Sequence, residues 1–116
     1  MPVRRITTVL VVASAAVLGL SGVASASGEV VVPGARLTFD TPTHVFTLYD
    51  TADDGHAVYA RWQVQGSSPV VGYNRGGPGS VARWYLDTPT GLRITYQVCV
   101  DTEFQDVCSP TRVDRT

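Results

Sequence analysis

Hydrophobic and polar residues alternate along most of the chain after residue 27, and turn-forming residues divide this alternation into short segments. A period of two is typical of β-strands with one buried face. The segments run over residues 29–32, 35–39, 45–49, 56–65, 70–73, 80–86, 92–100 and 106–109. The pattern predicts an all-β domain, a small antiparallel β-sandwich or barrel of about seven short strands.

Three of the segments are long enough to assign a buried and an exposed face. The apolar faces comprise Val58, Ala60, Trp62 and Val64; Ala82, Trp84 and Leu86; and Leu92, Ile94, Tyr96, Val98 and Val100. The opposite faces are rich in arginine, glutamine and tyrosine, as expected for antiparallel sheets with one solvated side. We expect the core to be centred on Trp62, Trp84, Leu92, Ile94 and Val98.

The segment between the third and fourth predicted strands is acidic and turn-forming. Residues 53–55 read Asp-Asp-Gly, a favourable turn sequence that predicts a hairpin between these two strands. Asp50 and His56 would make a metal site conceivable. Calcium loops, however, space their carboxylates as Asp-x-Asp-x-Asp-Gly, and Ala52 occupies the middle position here. We therefore predict a turn and no metal site.

The N-terminal 26 residues have the three parts of a secretory signal peptide. Two arginines at positions 4–5 precede an apolar run over residues 6–20, and Ala24 and Ala26 supply the small side chains before a cut. The run is shorter than the roughly 20 residues that span a bilayer. The residues around the arginines match the twin-arginine signal poorly. We expect a signal helix and then a secreted, monomeric domain of residues 27–116 without a membrane anchor.

The two cysteines of the chain, Cys99 and Cys108, are predicted to form a disulfide, because an even pair in an oxidising compartment is usually bridged. Symmetric hairpin pairing around residues 103–104 sets them directly opposite each other. A two-thiol metal site would need two more ligands, and His44 and His56 lie far away in sequence. Because Cys99 belongs to a polar face, the bridge should staple the hairpin from outside the core.

The charge of the chain and its lack of catalytic motifs limit the classes of function that it can have. All nine basic residues are arginine, and two of them belong to the predicted signal peptide. Residues 27–116 therefore contain seven basic and ten acidic residues, and their net charge is near −3. Nucleic-acid binding needs a clustered basic surface, so we expect no such partner. The chain has no Gly-x-Ser-x-Gly or His-Glu-x-x-His motif, and glycine-rich residues 74–79 lack the end of a phosphate loop. We expect a flexible loop there, no cofactor and no enzyme.

The polar strand faces supply the candidate binding residues. They are Tyr59, Arg61, Gln63, Arg83, Tyr85 and Arg93. Aromatic rings together with arginine and glutamine suit sugars, carboxylates or a protein partner, although an ordinary solvated face has a similar composition. We expect a domain that binds an extracellular polysaccharide or protein. The alternative is an inhibitor of an extracellular hydrolase that presents a loop such as residues 74–79, and a small enzyme would need a buried carboxylate or histidine pair in a cleft.

Two segments resemble small secreted proteins of actinobacteria such as streptomycetes. Residues 49–59 read Tyr-Asp-Thr-Ala-Asp-Asp-Gly-His-Ala-Val-Tyr, and residues 96–102 read Tyr-Gln-Val-Cys-Val-Asp-Thr, followed by Cys108. The resemblance implies a compact extracellular β domain with a C-terminal cysteine hairpin, and it transfers no catalytic residue. Amylase and subtilisin inhibitors secreted by the same bacteria carry more cysteines than this chain.

Overall fold

The computed structural model describes residues 27–116, which form nine β-strands and confirm the all-β prediction. The strands are β1 (Ser27–Val32), β2 (Ala35–Asp40), β3 (Val45–Asp50), β4 (Val58–Val64), β5 (Val70–Asn74), β6 (Val81–Tyr85), β7 (Arg93–Val100), β8 (Val107–Cys108) and β9 (Arg112–Arg115). The predicted signal peptide, residues 1–26, lies outside the described residues. Within the described part, no helix is long and apolar enough to cross a membrane.

The strands form two antiparallel sheets packed face to face. One sheet has four strands in the order β1-β2-β3-β6. The other has five, in the order β5-β4-β7, with β8 and β9 both pairing with the far edge of β7. Strand β1 packs over β7 and β9, β3 packs over β4 and β5, and β6 packs over β5. The predicted antiparallel sandwich is therefore the architecture of the domain.

Strands β3 and β4 belong to different sheets, so the predicted hairpin around residues 53–55 is wrong. The connection crosses from one sheet to the other, and each of its ends is tied to a different sheet. Thr51 N donates to Gly34 O (3.0 Å) at the β1–β2 turn, whereas Ala57 O accepts from Asp101 N (2.9 Å) after β7. A turn sequence predicts that the chain reverses direction. It does not determine whether the two strands joined by the turn pair in one sheet or lie in different sheets.

The second predicted hairpin is confirmed. Cys99 lies directly opposite Cys108 and is bonded to it, with a Cα–Cα distance of 4.0 Å. Ser109 N donates to Val98 O (2.9 Å) on one side of the pair. Cys99 is outside the core cluster, as predicted, but it is fully buried, and it lies beside Tyr59 on the outward side of the sheet.

The core is centred on an aromatic cluster between the sheets. The Phe46 ring lies 4.8 Å from Phe39, 4.9 Å from Trp62 and 5.2 Å from Tyr96, measured between ring centroids. The buried set consists of Val32, Ala35, Leu37, Phe39, Phe46, Leu48, Val58, Ala60, Trp62, Val64, Ile94, Tyr96, Val98 and Val100. Both sheets contribute to it, which is why each strand needs only one apolar face.

The predicted core residues divide into two groups. Trp62, Ile94 and Val98 are buried as expected. Trp84 and Leu92 pack against the core but are only partly buried, so placing them at its centre was wrong. Trp84 belongs to β6, the outermost strand of its sheet, and Leu92 precedes β7, so neither can be covered on every side.

Strand β9 was not predicted, because polar residues occupy its inward positions. Tyr96 Oη donates to the Asp114 carboxylate, and Arg112 Nε donates to Asp114 Oδ2 at 2.9 Å. Burial, followed by the Asp114 hydrogen bond, raises the pKa of Tyr96. A Cβ atom on Gly28 of β1 would lie 2.1 Å from Tyr96 Oη, so only glycine lets β1 cross this polar cluster.

Replacing Gly72 tests the contact between the two outer strands β5 and β6. A Cβ atom at this position would lie 2.5 Å from the Trp84 indole ring. We expect Gly72→Ala to lower the free energy of unfolding by about 1–3 kcal/mol, because overpacking displaces the ring. Urea denaturation measures the loss. Val71→Ala, at the neighbouring exposed position, is the control and should change stability by less than about 0.5 kcal/mol; equal effects would contradict the contact.

Candidate functional site

The structure divides the six predicted binding residues between the outer faces of the two sheets. Tyr59, Arg61, Gln63 and Arg93 lie on the five-stranded sheet, and Arg83 and Tyr85 lie on β6 of the four-stranded sheet. Outward faces of two stacked sheets point away from each other. The six residues therefore belong to two separate surfaces and cannot form one site together.

Tyr59 holds the cysteine hairpin in place. It is only 7% exposed, and its ring packs 5.1 Å from that of Tyr73. It lies beside Cys99 in the sheet, and its hydroxyl donates to Asp106 Oδ2 at 2.5 Å. Burial, then the hydrogen bond to Asp106, raises the pKa of Tyr59 to about 12. Tyr59 thus supports the hairpin and is poorly placed to contact a ligand directly.

The tip of this hairpin presents an exposed aromatic side chain. Asp106 Oδ1 accepts from Thr102 N (3.2 Å), and Thr102 Oγ1 donates to Gln105 O (2.6 Å). Phe104, between them, is 96% exposed. Phe104 is not among the site residues that the sequence pattern predicts. The available signal was a phenylalanine in an otherwise polar turn, Asp-Thr-Glu-Phe-Gln-Asp.

Arginines and uncharged polar groups cover the middle of the five-stranded sheet, a surface that we call the cationic face. It consists of Arg61, Gln63, Arg93, Thr95, Gln97 and Arg115. Across the strands, Arg61 lies opposite Gln97, Gln63 opposite Thr95, and Arg93 opposite Arg115. Among the described strands of this sheet, no outward position carries a carboxylate. The surface is therefore positive, although the domain as a whole is acidic.

A shallow, open depression of about 180 Å³ lies within the cationic face. Its polar lining comes from Arg61, Gln63, Thr95 and Gln97, and Pro69 and Thr111 form part of its rim. Gln97 Nε2 donates to Ser109 O (3.0 Å), which fixes that side chain. The depression offers a guanidinium, amides and a hydroxyl, groups that donate hydrogen bonds to anions and sugar oxygens.

A second depression of about 330 Å³ lies at the end of the sandwich where four loops meet. Asp50, His56 and Arg75 are among its lining residues. The adjoining glycine-rich loop is held by the buried Asn74 side chain. Its Nδ2 donates to Leu48 O (3.3 Å) and Ser80 O (3.2 Å), and its Oδ1 accepts from Gly76 N (3.0 Å). The loop at residues 75–79 is thus anchored at its base.

The carboxylates near this depression act as turn formers. Asp50 Oδ1 accepts from Ala52 N (3.3 Å), and Asp54 Oδ1 accepts from His56 N (3.0 Å). Over residues 27–116, no group of three or more His, Cys, Asp or Glu side chains could hold a metal ion.

Comparison of the chain with protein-family models, curated proteins and solved structures finds no match. The resemblance to secreted actinobacterial proteins therefore stays a prediction. The chemistry of the surfaces described above is what supports a function for this domain.

The burial of Tyr59 and its hydrogen bond to Asp106 predict that the domain loses stability at high pH. A phenol pKa raised from 10 to about 12 means that the folded state retains the proton longer than the unfolded state. Its contribution is complete below pH 10 and is lost as the pH rises towards about 12. Tyr59→Phe should lower the free energy of unfolding at pH 7 by about 1 kcal/mol and make this pH dependence shallower.

The matched control is Tyr73→Phe, which removes a hydroxyl from the neighbouring, 41% exposed ring. Its stability should follow that of the unmodified domain at both pH 7 and pH 11. Urea denaturation at a series of pH values makes the comparison. Superimposable profiles for Tyr59→Phe and the unmodified domain would show that the Asp106 contact contributes nothing.

Proposed function

We propose that this chain is a non-catalytic extracellular domain that binds a polysaccharide on its cationic face. The observation that carries the proposal is the array of arginine, glutamine and threonine side chains around an open depression on the five-stranded sheet. The disulfide between Cys99 and Cys108 supports an oxidising compartment, as the predicted signal peptide does.

The shape of the site favours an extended ligand. Sites for small molecules are usually concave and mostly apolar, and they enclose most of the ligand. The cationic face is instead open and mostly polar, with the exposed Val113 opposite Thr95, and it extends across β4, β7 and β9. A chain of sugar rings can lie on such a surface and exchange hydrogen bonds with amides and guanidinium groups along its length.

Removing Arg61 tests the site. Arg61 lines the depression and is exposed. Arg61→Ala should weaken binding to a polysaccharide by about tenfold, the equivalent of one charge-assisted hydrogen bond. The measurement is affinity electrophoresis through gels that contain soluble neutral or acidic polysaccharides.

Arg83→Ala is the matched control, because Arg83 is an exposed arginine on the other sheet. Its binding should change less than about twofold. The proposed site would be refuted if the two variants lost the same affinity. It would also be refuted if no polysaccharide retarded the domain or either variant.

The exposed Phe104 supports a second candidate function, inhibition of an extracellular hydrolase. Its side chain projects from a loop that the disulfide and the Asp106 hydrogen bonds hold in one shape. A preorganised loop loses little entropy on binding, and buried aromatic anchors contribute much of the energy of protein interfaces. The hairpin tip is better suited to this role than residues 75–79, which present glycine, proline and arginine.

Exchanging the side chain at position 104 tests this candidate. Chymotrypsin accepts aromatic side chains in an apolar pocket, whereas trypsin selects basic ones. The unmodified domain should inhibit a chymotrypsin-like protease stoichiometrically, and Phe104→Arg should transfer the inhibition to trypsin. Tyr85→Ala, which removes another exposed aromatic ring, is the control and should inhibit as the unmodified domain does. The measurement is the residual protease activity as each form of the domain is added. Full protease activity with every form would exclude this function.

A further inference from the structure

Charges of opposite sign are separated on this domain. Six of the ten acidic residues gather at the end where the loops meet: Asp50, Asp53, Asp54, Asp101, Glu103 and Asp106. The cationic face carries Arg61, Arg93 and Arg115. A surface that carries charge of one sign raises the local concentration of ligands of opposite charge.

Arg93 and Arg115 form a like-charged pair within this face. They lie directly opposite each other on β7 and β9, where Cβ atoms of paired residues are about 5 Å apart and equal charges are destabilising. Over residues 27–116, the ion pairs are Arg36–Glu29 and Arg112–Asp114, so neither involves this pair.

Within residues 27–116, the guanidinium of Arg115 makes one hydrogen bond. Its Nη1 donates to Gly91 O at 3.2 Å. A guanidinium has five N–H donors in a planar fork that fits a carboxylate. An anion placed between Arg93 and Arg115 would relieve their repulsion and occupy donors that now face solvent.

The third arginine of the face lies too far away to share one small anion with this pair. Arg61 is opposite Gln97, and Gln97 is four residues from Arg93 along β7, a distance of about 13 Å. Gln63 and Thr95, which face each other, lie in the interval. The spacing suits a linear chain that carries repeated charges and has hydroxyl groups between them.

We infer that the cationic face binds a linear acidic polysaccharide, with one carboxylate between Arg93 and Arg115 and a second carboxylate at Arg61. The inference rests on the proposed function and adds the class of ligand to it. Arginine is the side chain of choice for this role because its planar fork binds a carboxylate through two hydrogen bonds at once. The uncharged pair Gln63 and Thr95 then faces the sugar rings between the two carboxylates.

Two polymers with the same backbone make the sharpest test. Polygalacturonate carries a carboxylate on every sugar, and its methyl ester is the same chain without the charge. The domain should bind polygalacturonate at least about tenfold more tightly than the ester, and the affinity should fall as salt is raised. Poly-glutamate, a carboxylate polymer without sugar rings, should bind more weakly than polygalacturonate. Isothermal titration calorimetry measures all three.

The variants locate the charge recognition. Arg93→Gln and Arg115→Gln should each weaken polygalacturonate binding about tenfold and reduce its salt dependence, whereas Arg83→Gln on the opposite sheet should change it less than about twofold. Without ligand, Arg115→Gln should melt at or above the temperature of the unmodified domain, because a like-charge repulsion is removed. Melting curves thus separate loss of binding from loss of folding.

The outcomes distinguish this inference from the proposed function. Equal binding of polygalacturonate and its ester, lost in Arg61→Ala, would leave the proposed function standing and overturn the acidic ligand. Poly-glutamate that binds as tightly as polygalacturonate would show that sugar rings are not recognised and would also overturn it. If none of the polymers binds, or if Arg83→Gln loses as much affinity as Arg93→Gln, the inference fails.

Discussion

The strand β7 fixes the arrangement of the whole domain, because it is buried on one face and paired along both edges. Ile94, Tyr96 and Val98 point into the space between the sheets and are almost completely inaccessible. A slip of one residue would move this entire set to the solvent side, so the apolar face specifies the register with β4, β8 and β9. The same register determines that Arg93 and Gln97 project outward. The arrangement of the cationic face is thus a consequence of core packing.

The two surfaces suited to recognition are built differently. The cationic face lies on regular strands whose hydrogen-bonded ladder sets the spacing of its side chains. The hairpin tip lies beyond the strands, and Phe104 is presented through the disulfide and through Asp106, which accepts from both Tyr59 and Thr102. In both surfaces the backbone is held by hydrogen bonds, and a backbone that is ordered before binding reduces the entropy cost of binding.

Local pattern predicted the inward and outward residues of β4 and β7 and the pairing of Cys99 with Cys108, because burial of one face imposes a period of two. It could not predict which strands share a sheet. For that reason Arg83 was grouped with Arg61 although they lie on different sheets. Strand β9 could not be predicted because its inward residues are polar, and a hydrogen bond from Tyr96 makes their burial possible. The exposure of Phe104 could not be predicted because side chains in a loop do not alternate between two faces as they do in a strand.

The charges of the domain are separated. Negative charge gathers in the loops at one end of the sandwich, and positive charge lies on the outer face of the five-stranded sheet. When a negatively charged polymer lies on the sheet, the acidic loop end is repelled by the same polymer. Under the proposed function, Phe104, whose neighbours in the loop include Asp101, Glu103 and Asp106, would stay clear of the bound polymer. The domain would then hold a matrix on one side while its hairpin stays available to a third molecule.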